Sequence, residues 1–193
     1  MKKTLTLIML LLPMLAAAQL IGTFSNQSAR RDNMTVNLLT KNNKPMYVWF
    51  EAKTKRGYGE VWIKLKDLPK FRQSLIDARD KYVEWTKVAD ENNVKNLRKE
   101  IPVKFPKPIY WWEIGGERFY DDYSGWKMIF SATDNYRFAF MIVEAKDMQN
   151  RFITENYRIT FSCVKDFDSL ITMLDPDKVK AVEGNPKDEN LFK

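Results

Sequence analysis

The sequence predicts an α+β protein of two consecutive antiparallel strand groups, each followed by a helix, and three observations predict it. Runs with a period of two come first, a long apolar stripe at helical spacing interrupts them, and period-two runs resume beyond it.

In the first group Met34, Val36 and Leu38 alternate with Thr35 and Asn37. Met46, Val48 and Phe50 alternate with Tyr47, Trp49 and Glu51, and Tyr58, Glu60 and Trp62 with Val61 and Ile63. Asn42-Asn43 and Lys55-Arg56-Gly57 separate these runs, so an antiparallel meander is the simplest reading. Residues 19–32 are polar apart from Leu20, Ile21 and Phe24 and read as a short first strand or a loose arm.

The stripe is Leu68, Phe71, Leu75, Ala78, Tyr82, Trp85 and Ala89, at spacings of three and four, which places all seven on one face of a helix over about 68–91. Asp67 stands at the N-cap, Pro69 falls in the first turn where its missing N–H costs nothing, and Asn92-Asn93 provides a stop. Arg72, Arg79, Asp80, Lys87 and Glu91 form the opposite, solvated face. The stripe is expected to cover the protein's own sheet, a coiled-coil seam being the alternative.

Pro102, Pro106 and Pro108 make the next stretch an extended connector. Strands follow over 109–114, 117–120, 126–132, 136–145 and 153–164, with turns at Gly115-Gly116, Asp121-Asp122, Asp134-Asn135 and 147–150. A second helix begins after Asp166, carrying Phe167, Leu170 and Leu174, and Asp175-Pro176 starts a short third. The halves of this single domain (19–182) are then about 34–98 and 109–182, and residues 183–193 form a polar, flexible tail.

Shifting the chain by 99 residues pairs Tyr58 with Tyr157, Trp62 with Phe161, Leu65 with Val164, Asp67 with Asp166, Leu68 with Phe167, Phe71 with Leu170 and Leu75 with Leu174. Internal duplication and the shared demands of a strand–helix junction both account for this match. The doubled order of strands then helix, over about 34–182, is similar to the whirly and PUR-type single-stranded nucleic-acid binders, without a diagnostic motif of either. The segments Phe71-Arg72-Gln73-Ser74-Leu75, Tyr82-Val83-Glu84-Trp85 and Asp90-Glu91-Asn92-Asn93-Val94 resemble an uncharacterised family of exported bacterial proteins, which implies export but no activity.

The 193 residues include no His and one Cys, which excludes a Ser-His-Asp triad, a Cys-His pair, an imidazole metal site and an internal disulfide. No phosphate-loop or dinucleotide glycine pattern occurs, so neither cofactor nor metal is predicted. Lys2, Lys3, the apolar run 5–15 and Ala16-Ala17-Ala18 have the form of a signal peptide, residues 1–18, and no later run has membrane length. The mature chain is therefore expected to be soluble and unanchored, in the periplasm or secreted.

Two surfaces are candidates for binding. Tyr110, Trp111, Glu113, Tyr120 and Tyr123 belong to the densest aromatic region, and an exposed Trp or Tyr beside carboxylates stacks on a sugar or anchors a partner. Alternation puts Tyr110 and Trp112 on one face and Trp111 with Glu113 on the other; Trp112 is expected in the core with Ile114 and Trp111 the more accessible, while a layer over each face would make all of these residues core. Residues 30–107 hold 19 Lys+Arg against 10 Asp+Glu, with Lys64, Lys66, Lys70 and Arg72 clustered at the strand–helix junction, where a polyanion or single-stranded nucleic acid would bind. The leading expectation is a non-enzymatic binding protein for an unknown protein or extracellular glycan. Polyanion binding is the runner-up, and a hydrolase using Glu113, Glu117, Asp121 or Asp122 comes third.

Overall fold

In the structure, a computed structural model that describes residues 16–26, 33–41, 44–54 and 57–183, the predicted α+β order is the observed one. The strands β1 (Ala16–Ser25), β2 (Asn33–Lys41), β3 (Lys44–Lys53) and β4 (Tyr58–Lys64) form a meander. A 3-10 turn (Leu65–Asp67) joins it to α1 (Leu68–Glu91). Then come β5 (Leu97–Ile101), β6 (Ile109–Ile114), β7 (Glu117–Asp121), β8 (Trp126–Ala132), β9 (Arg137–Lys146) and β10 (Thr154–Phe161), followed by α2 (Val164–Met173) and α3 (Pro176–Glu183). The signal peptide expected over 1–18 lies outside the described residues up to residue 15, while Ala16–Ala18 open β1. Of the expected tail, residues 184–193 lie outside them as well.

The sheets do not divide where the chain does. One has six strands in the order β1-β2-β3-β4-β6-β7 and the other four in the order β10-β9-β8-β5. After α1 the chain lays β5 on the edge of the second sheet, and the proline-rich connector then carries it back to pair β6 with β4. Strand β5 is unforeseen because Arg98, Lys99 and Glu100 are all exposed and only Leu97 and Ile101 turn inward. The Lys99 ammonium lies 4.8 Å from the ring centroid of Trp85, so the stem of a charged residue covers the one half-buried member of the helix stripe. The first strand pairs with β2 along its length, with a bulge between Leu20 and Gly22, rather than lying loose.

Helix α1 has the predicted bounds, about 36 Å at ~1.5 Å per residue. Leu68, Phe71, Leu75, Ala78, Tyr82 and Ala89 are buried. Phe71 meets Phe50 of the six-stranded sheet at 5.8 Å and Trp126 of the four-stranded sheet at 5.9 Å, while Tyr82 meets Phe130 at 6.0 Å. The stop falls as predicted: Asn93 has φ +49°, and Val94 N donates to Ala89 O at 2.8 Å. The start differs, because the 3-10 turn runs directly into the helix and Asp67 makes no side-chain cap bond. Nor is the opposite face wholly solvated. Arg72 donates to Ile171 O (3.1 Å) and pairs with Asp175, and Arg79 pairs with Asp168 at 2.8 Å, which docks α2 and its C-terminal flank on α1. Helix α2 starts at Val164, earlier than expected, and Asp166 lies inside it with its carboxylate accepting Ser162 N. Asp175 accepts Asp177 N at the start of α3, as its position before Pro176 suggested.

Two buried aspartates join the sheets at one end. Asp121, 1% exposed at the end of β7, accepts Tyr123 N, Ser124 N, Ser124 Oγ and, from β9, Lys146 N. Asp147 accepts Tyr120 N, Gln149 N and Asn150 N. Burial opposes ionisation of both, but these hydrogen bonds outweigh it and hold each carboxyl below its ordinary value of 3.8.

Leu75→Ala is expected to cost about 2–5 kcal/mol in denaturant unfolding, as a core truncation does. The aspartates set the acid limit. A depressed folded pKa contributes stability that is full above the unfolded value near 3.8 and is lost as pH falls through the folded one. Asp121→Asn should therefore flatten the fall in unfolding free energy measured by acid titration below about pH 4.

Candidate binding site

Period two sorts the aromatic residues of β6 onto two faces. Tyr110 and Trp112 point inward and stack at 5.1 Å; Trp112, 1% exposed, also stacks on Phe119 at 5.7 Å, and Tyr110 meets Tyr157 of the other sheet at 5.8 Å. Gly59, opposite Trp112, makes room for this stack, since a Cβ there would come within 3.0 Å of the Tyr110 hydroxyl. Burial, reinforced by Glu155, pushes the Tyr110 hydroxyl pKa up. Tyr110 thus belongs to the core and takes no part in the outer surface.

Trp111 points outward, opposite Glu60 on β4 and Tyr120 on β7. On β7 the Tyr120 N–H and C=O turn away from β6, to Asp147 and Met148 N. Its pair with Trp111 is thus of the non-hydrogen-bonded kind in which side chains lie closest, and the ring centroids are 4.5 Å apart. Across the sheet Trp62 meets Trp49 at 6.0 Å and Tyr47 at 5.4 Å. Tyr47, Trp49, Trp62, Trp111 and Tyr120 thereby form an aromatic band over four strands, each ring half-buried. Among the described residues, the ring contacts of these five are all with one another or with Arg118.

Polar groups are fixed between the rings. Glu60, only 6% exposed, accepts Trp62 Nε1 at 2.9 Å and Arg118 at 3.3 Å, and the Arg118 guanidinium lies 5.5 Å from the Trp111 ring centroid. Glu51 stands directly opposite Glu60, a like-charge pair that repels unless bridged. Arg118 and the Trp62 N–H offset the repulsion at Glu60. Burial, then the charges of Glu60 and Glu51, push the Tyr58 hydroxyl well up, which keeps it a neutral donor to these carboxylates. Glu113 lies at the exposed end of the band, opposite Tyr58 and Arg118.

Of the residues singled out in the sequence, Trp111, Glu113 and Tyr120 come together here. Tyr123 is 61% exposed in the turn beyond β7. Tyr47, Trp49, Trp62 and Glu60 were not proposed as site residues. Their alternation with Val48, Phe50, Val61 and Ile63 put them on one face, but only the pairing of β4 with β6 joins that face to Trp111. Asp121 spends its carboxylate on the four bonds already described, and Asp122 accepts the Tyr120 hydroxyl at 2.9 Å, whose pKa burial and this bond push up to about 12. In the basic cluster Lys64, Lys66 and Lys70 are exposed, whereas Arg72 is turned onto α2 and Asp175. Lys70 and Lys104 line a cleft of about 430 Å³ between α1 and the connector. Among the described residues no cluster of His, Cys, Asp or Glu could hold a metal ion, and no helix is long and apolar enough to cross a membrane. The chain matches no family model, no curated protein and no solved structure.

The two tryptophans should separate cleanly by chemical denaturation. Trp112→Ala is expected to lose about 3–5 kcal/mol, and Trp111→Ala about 1–2 kcal/mol, since its half-buried ring gives up the contacts with Tyr120 and Arg118 and leaves no cavity in the core.

Proposed function

We propose that this chain is an exported, non-enzymatic binding protein whose recognition surface is the outer face of the six-stranded sheet, and that the ligand is a glycan. The observation that carries the reading is the half-buried aromatic band of Tyr47, Trp49, Trp62, Trp111 and Tyr120 with Glu60, Glu51 and Arg118 placed among its rings. Sugar rings present apolar C–H faces edged with hydroxyls. Such a ligand stacks on flat indoles while its rim bonds to carboxylate and guanidinium groups already held in place, which keeps the ordering cost of binding low. A protein hot spot would use the same residue types. The polar groups spaced through this band, rather than at its rim, favour the glycan.

The second reading, polyanion binding through Lys64, Lys66 and Lys70, rests on their exposure at the junction of β4 and α1. One titration separates the two. Against a panel of soluble neutral oligosaccharides and heparin, the glycan reading expects binding to a neutral sugar that changes little with salt and falls about tenfold or more in Trp62→Ala and Trp111→Ala. Loss of binding on charge reversal at Lys64, Lys66 and Lys70, with a steep salt dependence and indifference to either Trp substitution, would replace it with the polyanion reading.

A further inference from the structure

The cleft of about 430 Å³ between α1 and the connector after β5 falls within the size range of sites that hold a small molecule. One wall is a single face of the helix, with Lys70, Ser74, Asp77 and Lys81; the other is the segment from Ile101 to Lys104. No residue of the aromatic band lines it.

The two walls are pinned together at one end. Ser74, 5% exposed, places its Oγ 2.9 Å from the carbonyl of Lys70 and 2.9 Å from that of Lys104. Val103 N donates to Ile101 O at 2.8 Å, which holds the connector in a tight turn about Pro102. Because one hydroxyl touches both carbonyls, Lys70 and Lys104 start from adjacent backbone, and both ammoniums can reach one ligand group at this end of the cleft.

Charge indicates what that group is. Lys70 and Lys104 are exposed, and among the described residues neither takes part in an ion pair. Lys66, before Lys70, and Lys107, after Lys104, are exposed as well. The carboxylates at hand do not cancel these four cations. Asp67 stands in the 3-10 turn before the helix, Asp77 lies about 10 Å along the helix from Lys70, and Glu84 is paired with Lys81 at 2.6 Å.

The remainder of the cleft suits a body of mixed character. Pro102 and Val103 offer an apolar surface, while on the facing wall Asp77 accepts Gln73 Nε2 at 2.9 Å through one oxygen and leaves the other for a ligand. A plain aliphatic chain would set those polar groups against hydrocarbon. A sugar lays its C–H face on Pro102 and Val103 and turns its hydroxyls to Asp77 and Gln73.

We propose that this cleft binds a sugar phosphate, with the phosphate between Lys70 and Lys104 and the hydroxyls on Asp77. Two ammoniums are point charges without the planar fork of arginine, so they favour a compact dianion over a carboxylate. The site rests on neither reading of the function given above. It shares Lys70 with the basic cluster, while Lys104 and Asp77 belong to it alone.

The test is titration calorimetry of the full chain with inorganic phosphate, with glucose, galactose and mannose, and with their 6-phosphates. At least one ester is expected to bind tenfold or more tighter than inorganic phosphate, and the parent sugars not to bind at this site. Lys70→Glu and Lys104→Glu should each weaken the ester about tenfold or more, and Asp77→Ala should weaken it about fivefold without weakening inorganic phosphate. Lys87→Glu, toward the far end of α1, makes the same change in net charge and should leave binding as it was. Esters that bind no better than inorganic phosphate, or not at all, overturn the proposal. Binding that survives Lys104→Glu, or that falls as much in Lys87→Glu, overturns it in favour of diffuse attraction to the basic half.

Discussion

The ring of Phe71 lies between Phe50 of the six-stranded sheet, Phe105 of the connector and Trp126 of the four-stranded sheet, at 5.8, 5.3 and 5.9 Å. One side chain of the long helix therefore touches both sheets and the segment that passes between them. Its position fixes the rest: with α1 held against the inner faces, Leu68, Leu75 and Ala78 fill the space beside it, and the connector is pulled over the helix, where Ser74 Oγ and Lys104 O lie 2.9 Å apart. That path sets the point at which the chain re-enters the first sheet. Had it returned one strand away, β6 would not lie beside β4, and Trp111 would not stand opposite Glu60.

Because the inner faces are occupied in this way, the outer faces have only their own residues to shield them. The two sheets meet that condition differently. On the four-stranded sheet the half-buried apolar residues of the outer face include Ile129, Phe138, Phe140 and Ile142, with Arg158 over Phe140. On the six-stranded sheet large aromatic rings cover one another across strands, and a nearly buried carboxylate, Glu60, is satisfied by an indole N–H and a guanidinium. Burying a charge is costly without such partners, so its presence on an open sheet face is the least economical feature of the surface if stability alone is considered. Under the proposed function it is economical as a pre-ordered acceptor, since rings and polar groups locked by their neighbours have little freedom left to lose.

Much of this was legible in the sequence, where local rules govern. The seven-residue stripe located α1, and the division of Tyr110 and Trp112 from Trp111 followed from alternation alone. The positive φ of Gly115 and Gly116, +62° and +86°, is the backbone that a tight β-hairpin turn between them requires. What escaped depends on contacts distant in sequence. Strand β5 carries three charged residues in five and becomes a strand because β8 offers it an edge. Asp67 and Asp166 fit the pattern of caps, but a preceding 3-10 turn and an earlier helix start leave the first without a side-chain cap bond and place the second inside its helix. The aromatic band needed the pairing of β4 with β6, two strands separated by the whole of α1 and β5, and no period within either strand encodes that partner.

Edge strands pose a problem that this fold addresses without closing a barrel. An open edge presents unpaired N–H and C=O groups to any passing strand. Here β7, the last strand of the larger sheet, gives the Tyr120 N–H to Asp147 and receives Met148 N, so a turn of the smaller sheet occupies its outer edge. On the smaller sheet β10 is engaged in return: Asn26, just beyond β1, donates to Thr160 O at 2.7 Å and accepts from Ser162 Oγ. Strand β5 carries Arg98 and Lys99, whose charge disfavours addition of a further strand. One edge of each sheet, β7 and β10, is thus engaged by a segment belonging to the other, and charge discourages strand addition at β5. The aromatic band on the sheet face and the turns at this end are braced by the same residues that join the sheets. Tyr120 is the link between them, its ring against Trp111 and its backbone against Asp147 and Met148.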